Sequence, residues 1–382
     1  MNYAGLILGI FALFLIGCTS ETEETLSLRA EKAYAEKAYS KAIAYYEKLL
    51  EISGESPITY NNLALAAYQT QDYSYAIKMA EKALALGPKT EIVDACYELL
   101  GMVAEAEKDY PRAATYYRKT LASPDAALKV RTHSRLANVY MEQAHYDAAL
   151  ALLLTAMEIN PADPTTAYNF GILCEHEAVN LRQAALDSFR LALRILPSDS
   201  SKHKSAALHV QRLEAYLNRL KNLPTITGDA SACAAALKQM RKAVKNKNYK
   251  TAVDCARTAT EADPSNFEAA LELARLYKTT KNTAASLKSY DKAIALRPNA
   301  VATRAEAAGV AFDAKKYKDA ANYLRPALVV DPTNRLTADQ MARILYGQKQ
   351  RVNAKLWFER YLRLDPNAKE AYRRFVKQLP EA

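Results

Sequence analysis

Along most of the chain, apolar residues follow helical spacing and fall into pairs of segments separated by short polar turns. The pattern is clearest towards the C-terminus, where tripeptides ending in Pro recur every 34 residues, at 262–264, 296–298, 330–332 and 364–366. Small residues keep the same interval at Ala252, Ser286, Ala320 and Ala354. A period of this length that holds two amphipathic helices predicts stacked helical hairpins.

Two columns of small residues mark where the helices of each unit should meet. The second-helix column continues backwards through Ala42, Ala76, Ala113, Ala149 and Ala185. The first-helix column consists of Ala30, Ala64, Gly101, Ala137, Gly171, Ala274, Ala308 and Ala342, and only Met240 breaks it. Small side chains let two helices cross closely, and the closing Pro ends the second helix because it cannot continue one.

The 34-residue period, a Tyr three residues before the second-helix small residue, and the closing Pro resemble the tetratricopeptide repeat, a family of antiparallel helix pairs. The resemblance covers nine units, at 23–56, 57–90, 94–127, 130–163, 164–199, 233–266, 267–300, 301–334 and 335–368. It implies an all-α fold, a right-handed superhelical α-solenoid of about nine units in two arrays with capping helices.

The repeat lapses after residue 199, and this break divides the chain. Residues 200–221 predict one long amphipathic helix, and the segment that follows contains Pro224 and Gly228. We predict an N-terminal array at 26–222 with five repeats and a capping helix, a linker at 223–230, and a C-terminal array at 231–382. The C-terminal array has four repeats and a last helix covering its open end, since a terminal unit has no neighbour of its own.

The first residues predict export and lipid attachment. Residues 6–17 are nearly all apolar and too short for a permanent membrane helix, but they fit the apolar part of a secretory signal. Leu15-Ile16-Gly17-Cys18 resembles the lipobox of bacterial lipoproteins, which implies a signal peptide at 1–17, acylation of Cys18 and a tether at 18–25. Thr19 after the Cys favours the outer membrane in that family. The alternative is a short uncleaved anchor with an incidental Cys.

The composition and the absence of known motifs exclude several classes of protein and of catalytic site. The 382 residues include only 10 Gly, 14 Pro and 5 Cys, which excludes collagenous and disulfide-scaffold proteins. The five His residues form no metal-binding motif, and the sequence contains no phosphate loop, nucleophile elbow or dinucleotide fingerprint. We therefore expect no enzyme activity, no metal and no cofactor.

The net charge of +10 is unevenly distributed. Residues 231–382 contain 29 Lys and Arg against 15 Asp and Glu, whereas the rest of the chain contains 23 and 27. In the repeat family, position nine of each unit faces a concave groove, and the resemblance places Arg241, Arg275, Gly309 and Arg343 there. Three Arg residues along one groove predict a carboxylate-bearing partner, with Gly309 leaving a gap for a side chain. The alternative is ordinary groove polarity.

The function predicted from these features is a non-enzymatic scaffold, lipid-anchored to the periplasmic side of the bacterial outer membrane. Its groove would bind a segment of an envelope protein in outer-membrane assembly, in pilus or secretion machinery, or in cell-wall synthesis. The rival interpretation is an accessory subunit that binds an acidic polymer, such as a cell-wall glycan or exopolysaccharide, through the basic C-terminal array. Nucleic acid is not expected as a partner, because the export signal argues against it.

Overall fold

The computed structural model describes residues 22–176, 181–221 and 228–379. These residues form twenty helices and no strand, so the predicted all-α class is confirmed. The first eleven helices are α1 Glu23–Ala35, α2 Tyr39–Ser53, α3 Pro57–Gln69, α4 Tyr73–Ala85, α5 Thr90–Ala106, α6 Tyr110–Lys119, α7 Ala126–Glu142, α8 Tyr146–Ile159, α9 Pro164–Glu175, α10 Arg182–Ile195 and α11 Ser201–Lys221. The other nine are α12 Ala230–Lys245, α13 Tyr249–Ala262, α14 Phe267–Thr279, α15 Thr283–Leu296, α16 Val301–Asp313, α17 Tyr317–Val330, α18 Arg335–Gly347, α19 Arg351–Leu364 and α20 Glu370–Lys377.

Nine helix pairs in the described residues correspond to the nine predicted units, with α11 between the fifth and the sixth pair, and the two small-residue columns are buried. Ser286, in the second-helix column, is fully buried, and its hydroxyl donates a 2.8 Å hydrogen bond to the carbonyl of Ala274 in the first-helix column. At Gly101, an added Cβ would lie 2.5 Å from the ring of buried Tyr117. The helices therefore cross where only small side chains fit.

The turns within the units share one backbone conformation wherever the structure describes them. Eight of them place a non-Gly residue at positive φ: Lys37, Gln71, Lys108, Ala144, Lys247, Lys281, Lys315 and Lys349. The next amide closes the turn on the helix before it, as in the 2.8 Å bond from Ala38 N to Ala33 O. This is the helix-ending pattern in which a left-handed residue satisfies the last carbonyls, and it lets the second helix return antiparallel.

The first repeat begins earlier than the predicted tether allows. Thr22 caps α1 in a reciprocal capping box with Thr25, and α1 buries Leu26, Ala30 and Ala33. The helix therefore includes residues 23–25 of the segment predicted as a tether at 18–25, because a hydroxyl cap at Thr22 satisfies amides of the first turn. The predicted signal peptide lies outside the described residues.

Contacts divide the chain into two units, residues 1–132 and 133–382, and the division falls within α7. In the first unit, a core that includes Leu63, Leu99 and Tyr46 runs through α1 to α5. In the second unit, α11 packs on α10 through Leu213 and through His209, whose ring stacks on Phe189 at 4.6 Å.

Both single helices beyond the repeat pairs occur where the sequence predicts capping helices. The last one, α20, packs on α19 through Phe375, whose ring centroid lies 5.6 Å from that of Phe358. Val376 and Leu379 are buried. Of the predicted linker at 223–230, residues 223–227 lie outside the described residues, and Asp229 caps α12 while its amide donates to Ala262 O at 2.8 Å. The division into arrays at this linker stays a prediction.

Within the second unit, α8 of the fourth repeat packs against α19 of the ninth repeat. Trp357 on α19 is fully buried, and its indole Nε1 donates a 2.9 Å hydrogen bond to Asp147 O on α8. Arg360, also fully buried, donates to Glu158 Oε1 and to Pro332 O at 2.5 and 2.6 Å. This contact joins repeats that are far apart in the sequence, whereas repeat arrays ordinarily pack through nearest neighbours.

Across the three described ranges, no helix combines the length and the apolar character needed to cross a membrane.

Candidate functional site

The predicted arginines lie on the first helices of the C-terminal repeats, and each contacts a carboxylate. Arg241 on α12 donates through Nη2 to Glu268 Oε1 on α14 at 2.6 Å. Arg343 on α18 donates through Nε to Asp339 Oδ2 on the same helix at 2.7 Å. We call the surface formed by α12, α14, α16 and α18 around these residues the arginine surface. Its guanidinium groups are half-exposed but are already paired.

The most connected pair of the arginine surface joins α14 to α16. Arg275 donates to both carboxylate oxygens of Glu306, at 2.9 Å from Nε and 2.6 Å from Nη2, and also to Glu272 at 2.9 Å. The hydroxyl of Tyr290 donates to Glu306 Oε2 at 3.0 Å. Hydrogen bonds from Arg275 lower the pKa of Glu306, and the same carboxylate raises the pKa of Arg275. The pair is therefore ionised at neutral pH and links adjacent repeats.

A cavity of about 210 Å³ interrupts the arginine surface at Gly309. A Cβ added to Gly309 would meet no atom within 4 Å, so the space predicted there is present. Phe312 and Ile344 supply apolar walls, and Arg343 and Gln340 supply polar ones. Gln340 Oε1 is buried without a hydrogen-bond partner. We call this space the Gly309 cavity; its size suits one side chain rather than a whole small molecule.

A second and larger cavity, of about 1190 Å³, was not predicted from the sequence. It is bordered by residues 144–147 at the start of α8, by residues 315–319 at the start of α17, and by Arg304, Arg325 and Gln350. We call it the basic cavity. The sequence signal for it is present but weak: Lys315, Lys316 and Lys318 form a basic run at one turn, of the kind that usually marks a solvated surface.

A buried ion pair holds one wall of the basic cavity. Arg325 on α17 donates to both carboxylate oxygens of Asp147 on α8, through Nε and through Nη2, the latter at 2.8 Å. Both side chains are about nine-tenths buried. Breaking such a pair leaves a buried charge without its counter-ion, so the pair fixes the position of α8 beside α17.

The described residues also include cysteines and other side chains that could bind a metal ion. The cysteines in the described part of the chain are free thiols, and burial raises the pKa of Cys96 to about 11. A thiol in such an environment is protonated and unreactive at neutral pH. No group of three or more His, Cys, Asp or Glu side chains within the described ranges is arranged to hold a metal ion. The predicted lipidation residue, Cys18, lies outside those ranges.

Family models of the tetratricopeptide repeat match residues 61–127 and 237–301, and a second model of the same repeat matches 132–166. The matched segments fall on helix pairs with the geometry described above. The chain is a tetratricopeptide-repeat protein. As such it has the fold of a family whose members serve as protein-interaction scaffolds.

The curated relatives of this repeat protein are distant. It is 25% identical over 305 residues to human "DnaJ homolog subfamily C member 7", and the match covers 73% of this chain and 59% of that protein. It is 23% identical over 156 residues to human "Antiviral innate immune response effector IFIT1", covering 39% of this chain and 32% of that one. The chain thus spans less than two thirds of the length of either relative.

Solved structures of repeat proteins resemble parts of the chain. MamA from Desulfovibrio magneticus RS-1 is 14% identical, with a TM-score of 0.35, over 39% of this chain and 83% of that one. YrrB, described as a TPR protein with an unusual peptide-binding site, is 20% identical, with a TM-score of 0.37, over 51% and 94%. PilF of Pseudomonas aeruginosa is 16% identical, with a TM-score of 0.31, over 65% and 97%.

Proposed function

We propose that this protein is a non-enzymatic scaffold that binds a segment of a partner protein on the arginine surface, with one partner side chain seated in the Gly309 cavity. The observation that carries the proposal is the cavity itself: a preformed space between two first helices, lined by apolar and polar groups and left open by a glycine. A preformed surface lowers the ordering cost of association.

The lining of the Gly309 cavity defines the chemistry of the bound segment. Phe312 and Ile344 favour an apolar side chain. The unpartnered Oε1 of Gln340 would accept a hydrogen bond from a donor on the partner, and its burial makes leaving it unpaired costly. Arg343 is half-exposed beside the cavity and has donors left over for a partner carbonyl or carboxylate. The expected partner therefore carries an apolar residue flanked by a hydrogen-bond donor for Gln340 and an acceptor for Arg343.

Filling the cavity tests this proposal directly. Gly309→Leu extends a side chain into the space, since its Cβ meets no atom within 4 Å, and Ala302→Leu adds a Leu side chain at an exposed position on the same helix. With the full-length chain as bait in cross-linked bacterial envelope extract, we expect a protein recovered by the wild type and by Ala302→Leu to be lost by Gly309→Leu. Equal recovery by all three chains would contradict a partner site in the Gly309 cavity.

The location proposed for the scaffold is the bacterial cell envelope, lipid-anchored through Cys18 and facing the periplasm from the outer membrane. The support is the lipobox-like Leu15-Ile16-Gly17-Cys18 and Thr19 after it. Incorporation of radiolabelled palmitate in the wild type and its loss in Cys18→Ser is the expected result. Labelling that persists in Cys18→Ser would rule the anchor out.

A second candidate function is the binding of an acidic polymer, such as a cell-wall glycan, by the C-terminal repeats. The observation that favours it is the basic cavity, where Lys315, Lys316 and Lys318 are exposed at one turn. Polymer binding of this kind would weaken steeply with salt, since it depends on exposed charges.

A further inference from the structure

The basic cavity differs from the arginine surface in how its cations are partnered. Lys315, Lys316 and Lys318 are exposed, and within the described part of the chain none of the three forms an ion pair. Arg304 on α16 donates through Nε to Pro298 O at 2.7 Å and forms no ion pair with the described carboxylates. Burial lowers the pKa of Arg304 below its usual value, which means that its charge is partly desolvated and uncompensated.

The charges around this cavity come from three parts of the fold. The helices α16 and α17 and the turn between them contribute Arg304, the three lysines, Asp319 and Arg325. The start of α8 contributes His145 and Asp147. The turn before α19 adds only the neutral Gln348 and Gln350. Asp147 is already paired with Arg325. The three lysines and Arg304 are therefore left with one further carboxylate, Asp319. The cavity therefore carries a local excess of positive charge.

The helix ends that border the cavity reinforce this excess. In four other repeats the second helix is capped by an acidic or amide side chain that accepts from its first-turn amides, namely Asp72, Asp109, Asn248 and Asn282, whereas Ala38 and Leu181 in two further repeats provide no such cap. At the three helices that start beside the basic cavity, the capping positions hold His145, Lys316 and Gln350, and none of these side chains accepts such a bond. First-turn amides without a side-chain acceptor favour an anion at those ends.

We propose that the basic cavity is a binding site for a phosphate-bearing ligand, held by Arg304 and by the lysines at the start of α17. Phosphate fits better than a single carboxylate because several cations and amide donors converge from different elements, and phosphate offers more charge and more acceptor oxygens. The volume of about 1190 Å³ leaves room for a ligand body beyond one phosphate group. The site uses no residue of the Gly309 cavity, so it is independent of the partner-binding proposal; it shares the basic cavity with the acidic-polymer candidate and narrows the ligand to one that bears phosphate.

The phosphate groups of a small molecule and those of a polymer share this chemistry, and two probes separate them. We would titrate the detergent-solubilised full-length chain with inorganic pyrophosphate and with long-chain inorganic polyphosphate by calorimetry, using citrate as the carboxylate comparison. The test variant changes Lys315, Lys316 and Lys318 to Gln. The matched control changes Lys245, Lys247 and Lys250 to Gln, which removes the same charge at the corresponding turn between α12 and α13. A second test variant, Arg304→Gln, keeps the exposed lysines.

The expected result is saturable pyrophosphate binding by the wild type and the control, weakened at least about tenfold in both test variants. Binding of polyphosphate that is far tighter than that of pyrophosphate, and lost in the same variants, would identify the source as a polymer; comparable affinities would identify it as a small molecule. Absence of pyrophosphate and polyphosphate binding, equal losses in control and test variants, or equal affinity for citrate would overturn the assignment.

Discussion

The C-terminal repeats contain two basic regions that look alike in sequence and differ in structure. On the arginine surface, Arg241, Arg275 and Arg343 each bind a carboxylate from the same or the next first helix. Around the basic cavity, by contrast, Lys315, Lys316 and Lys318 form no ion pair with any described residue, and the helix ends at His145, Lys316 and Gln350 lack side-chain caps. The comparison shows that local net charge identifies where cations are, whereas internal pairing decides which of them remain available to an external anion.

The largest expected effect follows from removing the contact between α19 and α8, the helix whose start borders the basic cavity. Trp357→Ala takes away a fully buried indole between α19 and α8 and should lower the free energy of unfolding by about 3–5 kcal/mol, because it leaves a cavity and removes the hydrogen bond to Asp147 O. Urea unfolding followed by circular dichroism measures this loss of stability. Tryptophan fluorescence would not serve, because Trp357 is the only Trp in the chain and the variant lacks it.

Trp357→Phe is the matched control for that experiment. It retains most of the ring volume and loses the hydrogen bond to Asp147 O, so its cost should be about 1 kcal/mol. A Trp357→Ala variant no less stable than Trp357→Phe would show that α8 and α19 do not pack in solution as they do in this structure.

Two glycine substitutions with opposite expected effects on stability distinguish a packed helix crossing from an open site. Gly101→Ala should destabilise by about 1–3 kcal/mol, because the new Cβ meets the buried Tyr117 ring, whose hydroxyl is held by Glu105 at 2.7 Å. Gly309→Ala should raise the free energy of unfolding by about 0.5–1 kcal/mol, because Ala is favoured over Gly in a helix interior and the new Cβ meets no atom within 4 Å. Thermal unfolding of both variants checks the signs; a shift in the same direction for both would contradict the packing described here.

The smallest effect concerns the ionised pairs of the arginine surface. Arg275→Gln should destabilise by up to about 1 kcal/mol at pH 7, since the pair is half-exposed. Glu306 has a folded pKa below its unfolded value of about 4.5, so its contribution is present above that pH and is lost as pH falls through the folded pKa.

The wild type and Arg275→Gln should therefore converge in stability at acidic pH. Urea unfolding at pH 7 and at successively lower pH values below the unfolded pKa of Glu306 measures this convergence. A difference that is constant across the series would show that Arg275 acts through packing rather than through the charge of Glu306.

Much of the fold follows from local pattern. The small-residue columns, including Ala30 and Ala342, predict the buried crossings, because each helix pair is formed by residues close in sequence. Position nine correctly places Arg241, Arg275 and Arg343 on first helices. The pattern does not reveal their carboxylate partners, since Glu268 and Glu306 lie on the next unit and pair only once the units stack.

The basic cavity could not be derived from periodicity. It requires α8 to pack against α19, and the residues responsible, Asp147, Arg325, Trp357 and Arg360, are about two hundred positions apart. A repeat predicts contacts with its sequence neighbours and carries no information about a contact between the fourth and ninth units.

The claim that pairing decides which cations are available is tested most directly by one calorimetric comparison. Pyrophosphate would be titrated into the full-length chain, into a variant with Arg241, Arg275 and Arg343 changed to Gln, and into the variant with Lys315, Lys316 and Lys318 changed to Gln. Both variants remove three positive charges. The account predicts wild-type affinity in the arginine variant and a loss of at least about tenfold in the lysine variant. Equal losses in the two variants would contradict it, because binding would then follow total charge rather than the unpaired cations of the basic cavity.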